Sequence, residues 1–287
     1  MPDADSVDSR AYAFAYVIRS PQDIPADFAG VVAPRFSIGL FLPQELAGRF
    51  HTARYAARVL LFVEDEVLLY THPSAKAGVV VIPMARVLVM ETERFLLDCR
   101  ARFVLAGAEH EIRYSARDDK FASEFLECLR LRFLGQEPAA MTHRAAHLGD
   151  PLDLAFRNFS RREQMPDEVL WARLFIASQR QTGTRWLGAS VSWTPSDYVA
   201  LTNYRLLWMT NRRGKYRQQF GVRCSYCALA RITGVRVEDN AELNISIADK
   251  LTWRIHVPAA HQAAAGTFAE QATRLLARVH PNRSILS

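Results

Sequence analysis

A mainly β fold with α-helix is predicted for this chain, arranged as two tandem domains that each close a curved antiparallel sheet, or partly open barrel, with a C-terminal helix. Three observations predict it. A short pattern runs along the chain twice in the same order, strand-like stretches alternate apolar and polar residues, and each copy ends in a helix with a broad apolar stripe. At 287 residues the chain suits two domains of roughly 100–150 residues each. Its 49% hydrophobic and 23% charged residues are ordinary for a globular protein.

The repeat is carried by four pairs of segments. Pro43-Gln44-Glu45-Leu46 parallels Pro166-Asp167-Glu168-Val169, and Leu68-Leu69-Tyr70 parallels Leu206-Leu207-Trp208. Ile82-Pro83-Met84-Ala85-Arg86-Val87 stands where the second copy has Cys227-Ala228-Leu229-Ala230-Arg231-Ile232, and Phe121-Ala122-Ser123-Glu124 parallels Phe268-Ala269-Glu270-Gln271. The spacing grows from 123 to 138, 145 and 147, as loop insertions would produce. A period this long describes a whole small domain and not a solenoid unit. The expected layout is an N-terminal arm or extra strand over 1–30, a first domain over 31–135, a partly helical linker over 136–164 and a second domain over 165–287.

In chain order, Met1–Arg10 is acidic, and Ala11–Ile18 alternates with Tyr12, Phe14, Tyr16 and Ile18 on one side. A secretory leader would want a basic start and a continuous apolar run, so a strand or arm is expected here. Ala56–Val63 and Glu66–Thr71 read as strands around a Glu64-Asp65 turn. Val79–Val81 and Arg86–Glu91 flank Pro83, whose missing N–H suits a strand edge or bulge. Phe95, Leu97, Cys99, Ala101 and Phe103 alternate with polar neighbours, and His110, Ile112 and Tyr114 continue that period beyond a turn at Gly107. Asp118-Asp119 are helix-capping residues, after which Phe121, Phe125, Leu129 and Phe133 recur every four positions. In the linker, Met141–His147 is read as one or two helical turns, and Leu152, Leu154, Phe156 and Phe159 as able to dock on a domain. In the second copy Leu251, Trp253, Ile255 and Val257 alternate, then Phe268, Ala272, Leu275, Leu276 and Val279 keep helical spacing. Each copy therefore ends on a helix able to cover a sheet.

The segments Met165–Leu170, Val199–Trp208 and Ala228–Val235 resemble the successive landmarks of bacterial pleckstrin-homology-like domains, including the related GRAM group. Those landmarks are a P-x-E opening, a T-x-x-R-L-L corner, an I-P-L-x-x-I segment and a closing helix that begins with Phe. The second copy is similar to nearly all of them. The first, about Leu42–Phe133, matches at the helix and at Ile82–Val87, but has Val63-Glu64-Asp65-Glu66-Val67-Leu68-Leu69 at the corner. The resemblance implies two tandem domains of that fold. Local chemistry assigns Thr202, Asn203 and Arg205 to forming the corner, since short polar side chains bond nearby backbone in turns.

The strongest functional signal is electrostatic. Between Val199 and Val237 there are seven Arg and one Lys and no Asp or Glu. Arg212, Arg213, Lys215, Arg217 and Arg223 gather around Asn211 and Gly214, where a hairpin loop longer than His72–Gly78 is expected. Guanidinium groups suit phosphate through paired, charge-assisted hydrogen bonds, and Trp208, Tyr216 and Phe220 add aromatic surface. These five cations are the candidate ligand-binding residues. A generic solvated basic face is the plainer reading of the same charges, given a net charge of +6.

Other functions find less in the sequence. Cys99 and Cys128 read as small core residues, and Cys224 with Cys227 makes a lone C-x-x-C without two further zinc ligands at matching spacing. His143 and His147 share a helix face but have no third ligand. There is no G-x-S-x-G, no phosphate-binding Gly-rich loop and no H-E-x-x-H. The expectation is a non-catalytic binding or scaffolding protein without cofactor or metal, cytoplasmic or membrane-associated, with a protein or an anionic membrane surface as partner. Nucleic acid ranks lower because no recognised nucleic-acid signature accompanies the charge, and retention on filters at low salt would decide it.

Overall fold

The computed structural model describes residues 14–30, 32–33, 35–47, 52–72, 78–95, 98–135, 156, 159, 163–165, 167–185, 188–213 and 220–279. The chain is mainly β, with antiparallel sheets and two long helices among these residues, and no closed barrel. It divides into two compact units. The first contains 1–87, 97–103 and 110–138; the second contains 88–96, 104–109 and 139–287.

The first unit is built on a five-stranded sheet of β1 (Tyr16–Ile18), β2 (Ile38–Leu42), β5 (Arg58–Val63), β6 (Glu66–Thr71) and β7 (Val80–Pro83), in that order. A separate hairpin joins β3 (Glu45–Ala47) to β4 (Thr52–Tyr55). Strand β5 turns into β6 through Glu64-Asp65, with Glu64 at φ 52. Pro83 closes β7 opposite Glu66, on the edge strand where a missing N–H costs no ladder bond. One face of the sheet buries Ile18, Phe41, Val59, Leu61 and Tyr70 with Phe28. Of the 1–30 region, the described residues 14–30 supply a strand and an anchor of this core, and Phe14 beside it is exposed under Arg117.

Helix α1 (Asp119–Phe133) packs near β1 and β2 and buries Ala122, Phe125, Leu126 and Leu129. Phe121 is only half-buried. The expected cap differs too: Asp118 makes no side-chain bond to the helix start and accepts instead from the Ala15 N–H at 3.3 Å. Asp119 accepts from the Ser123 hydroxyl at 3.2 Å.

In the second unit five strands run in the order β8-β16-β15-β14-β11: β8 (Val87–Phe95), β11 (Leu170–Ile176), β14 (Asp197–Thr202), β15 (Arg205–Arg213) and β16 (Phe220–Ala228). Strands β9 (Asp98–Leu105) and β10 (Ala108–Ser115) follow β8 in the chain. Strand β9 buries Cys99, Ala101, Phe103 and Leu105 in strict alternation, and Gly107 takes the left-handed turn into β10 at φ 79. A two-stranded ribbon pairs β12 (Arg180–Arg185) with β13 (Gly188–Trp193).

The second unit's core lies between β11, β14, β15 and β16, the three-stranded sheet β17 (Ile232–Glu238), β18 (Glu242–Ile247) and β19 (Thr252–His256), and helix α2 (Gln262–Val279). Helix α2 packs on β11 and β17 and buries Ala265, Phe268, Ala269, Ala272 and Leu276; of the stripe its spacing predicts, Phe268, Ala272 and Leu276 are buried, Leu275 is half-buried and Val279 is exposed.

The expected arrangement, in which each sequence copy shuts its own interior, needs a correction. Strand β8 belongs by sequence to the first copy, yet Leu88–Leu96 falls within the second unit and pairs antiparallel with β16 from Met90↔Tyr226 to Phe95↔Gly221. The physical reason is burial on both faces: Val87 to Glu93 are all buried, so β8 requires cover that a two-sided, half-wet strand does not. Within the stretch read as a linker, Phe156 is buried, in keeping with its reading as a docking residue, and Glu163 is buried as well.

Candidate functional site

The Asp167–Arg205 corner gathers a buried polar cluster among the described residues of the second unit. The Arg205 and Glu168 side chains are 0% exposed and form a two-pronged pair, Nε to Oε1 at 2.7 Å and Nη2 to Oε2 at 2.8 Å. The Thr202 hydroxyl lies 2.9 Å from Glu168 Oε1 and accepts the N–H groups of Tyr204 and Arg205, each at 3.2 Å. Asn203 ties the opening segment to the corner: its Oδ1 accepts from the Val169 N–H at 2.8 Å, and its Nδ2 donates to the Asp167 carbonyl at 3.2 Å. The residues that give the sequence its family-like landmarks are therefore hydrogen-bonded to one another. Burial by itself would push the Glu168 carboxyl up, but the Arg205 charge and the bonds from Arg205, the Met165 N–H and Thr202 hold it below its usual value.

Around this pair runs a second layer. Arg205 Nη2 also donates to the Glu163 carbonyl, and its guanidinium lies 5.2 Å from the Tyr226 ring centre. Its Nη1 has no hydrogen-bond partner among the described residues. Glu163, buried at 1% exposure, accepts from the Tyr226 hydroxyl and pairs with Arg94 at 2.6 Å. Thr92 lies 3.3 Å from the same hydroxyl. Strand β8, the end of the linker and β15–β16 thus meet through one chain of buried charges. Charges this enclosed fix geometry by satisfying each other; they do not present chemistry to a solute.

Of the five cations singled out from the sequence, the structure describes the backbone of Arg212 and Arg213 and the side chain of Arg223. Strands β15 and β16 form a hairpin in unbroken register from Arg205↔Ala228 to Arg213↔Phe220. The backbone of Arg212 and Arg213 lies at its far end, while Lys215 and Arg217 fall outside the described residues. Arg223 is on β16, paired with Thr210. It sits opposite Glu93 and approaches that carboxylate at 3.6 Å, with side chains 11% and 4% exposed. Two more of the eight cations are also paired, Arg205 as above and Arg236 with Glu238 at 2.9 Å.

Trp208 donates through Nε1 to Asp197 at 2.8 Å and packs against Trp253, their ring centres 5.6 Å apart. Cys224 and Cys227 are both buried on β16, where an odd spacing turns them to opposite faces. Burial pushes the Cys227 thiol up to about 12, far from a reactive thiolate. His143 and His147 lie outside the described residues, and among those described no group of three or more His, Cys, Asp or Glu gathers. No described helix is long and apolar enough to cross a membrane.

Sequence reasoning did not find Glu163, Tyr226, Thr92 and Arg94. Glu163 lies in a stretch whose composition reads as linker, and its partners are 63 to 69 residues away in the chain. The one available signal was the polar run Glu91–Arg94 that follows the apolar residues Val87–Met90. Protein-family models, curated proteins and solved structures were all compared with the chain, and none matched.

Proposed function

We propose that the chain is a non-catalytic binding or scaffolding module made of two pleckstrin-homology-like copies, with the far end of the β15–β16 hairpin as its contact surface for an acidic protein partner. The observation that supports it is the hairpin itself. Nine paired positions of unbroken register make a stiff stem, and its end carries Arg212, Arg213, Lys215 and Arg217 in a stretch without a carboxylate. Arg205, Arg223 and Arg236 each face a carboxylate, whereas the sequence from Arg212 to Arg217 carries four cations without one.

Attachment to anionic lipid headgroups is the second reading, favoured by Tyr216 and Phe220 flanking the same cations. Each basic residue near an anionic surface adds about 1 kcal/mol before screening. The test replaces Arg212, Arg213, Lys215 and Arg217 together by Ala. Salt-sensitive sedimentation with phosphatidylserine liposomes, lost in the quadruple variant, supports the lipid reading. A defined protein partner bound by the wild type without liposomes and released by the quadruple variant supports the first. Identical behaviour of the two proteins in both assays rejects the hairpin as a contact surface.

A further inference from the structure

We infer that the β16 edge is a strand-acceptor site, occupied in the intact chain by its own residues Leu88–Phe95, and that this non-covalent seating holds the second unit together when the chain is cut. The unit is assembled from separate stretches of sequence, 88–96, 104–109 and 139–287. A break in the chain just after 139 leaves β8 on one fragment and β16 on the other.

The acceptor edge has a chemical preference as well as a ladder. Its two faces read opposite sides of the incoming strand. On one face the Ser225 hydroxyl lies 2.9 Å from a Glu91 oxygen, and Arg223 meets Glu93. On the other face the Tyr226 hydroxyl faces Thr92 at 3.3 Å, and Glu163 takes the Arg94 guanidinium at 2.6 Å. The guest is therefore an antiparallel strand with carboxylates two residues apart and a cation following the second. Gly221 closes the register, because a Cβ there would stand 2.3 Å from the Phe95 ring and 2.8 Å from the Arg94 carbonyl. Backbone pairing supplies affinity and the alternating side chains supply choice of partner, as in other strand-addition sites. This is independent of whether the hairpin end binds an anion.

The experiment uses the full chain with a protease recognition sequence placed between 145 and 149. After cutting, the two fragments are expected to elute together from a size-exclusion column at the mass of the uncut protein. They separate in urea and reassemble on its dilution. Glu93→Gln in the cut protein removes the partner of Arg223 and is expected to speed fragment dissociation about tenfold, since an enclosed charge left without its partner is strongly unfavourable. Glu91→Lys with Glu93→Lys is expected to release the fragments outright. The uncut variants, followed by thermal unfolding, serve to confirm that they still fold. Wild-type fragments that part on the native column overturn the inference. So do fragments that stay together at the wild-type rate in every folded variant.

Discussion

Arg205 is enclosed by Glu168, Thr202 and the Glu163 carbonyl, so removing its guanidinium leaves a buried carboxylate without its partner. Arg205→Ala is expected to lower unfolding free energy in urea by about 3–5 kcal/mol, while Arg205→Met combined with Glu168→Leu costs much less because no charge is stranded. The pH dependence carries a sign that checks the same pair. With its folded carboxyl held below the ordinary 4.5, Glu168 contributes stability that is complete above that value and is lost as pH falls through the lower folded value. In Arg205→Ala only the Met165 N–H and Thr202 bonds still oppose burial, so the carboxyl shifts upward and the loss of the Glu168 contribution in acid becomes smaller. Equal acid slopes for the two proteins, from urea titrations between pH 3 and 7, would contradict the pairing. At Gly221, Gly→Ala drives a Cβ into the Phe95 ring and is expected to destabilise by about 1–3 kcal/mol in the same assay.

At the scale of elements, the two closing helices are parallel in sequence but unequal in packing. Phe268 on α2 is 1% exposed, whereas its counterpart Phe121 on α1 is half-buried with Lys120 close to its ring. Phe268→Ala is expected to cost about 3–5 kcal/mol and Phe121→Ala clearly less, read from thermal unfolding of each variant. Periodicity made β9, β10, β19 and both helix stripes legible, because in each of them one face is buried and the alternation or the four-residue spacing survives. Asp118 shows where local reading stops: its position suits a cap, but a backbone N–H 103 residues away takes its carboxylate. The Thr202–Arg205 corner was readable as structure because its side chains bond within the turn itself. Glu163 was not, since a buried carboxylate and a solvated linker carboxylate look alike until their distant partners are known.

For the whole molecule, the chain divides into two compact units, while the boundary between the copies in sequence differs from the boundary between the units. The difference lies mainly in β8, whose burial on both faces and whose Glu91 and Glu93 suit it to the β16 edge. A strand's neighbours can be set by non-local pairing, and residues 90 to 95 pair with β16 more than a hundred positions on. Hydrogen exchange in the intact chain tests this placement directly, because elements of one cooperative unit open together. When Phe268→Ala weakens the second unit, amides of Leu88–Phe95 are expected to exchange faster in step with Gly221–Ala228, while Arg58–Val63 keeps its wild-type rate. Unchanged protection of Leu88–Phe95 alongside accelerated exchange in β16 would contradict the assignment of β8 to that unit.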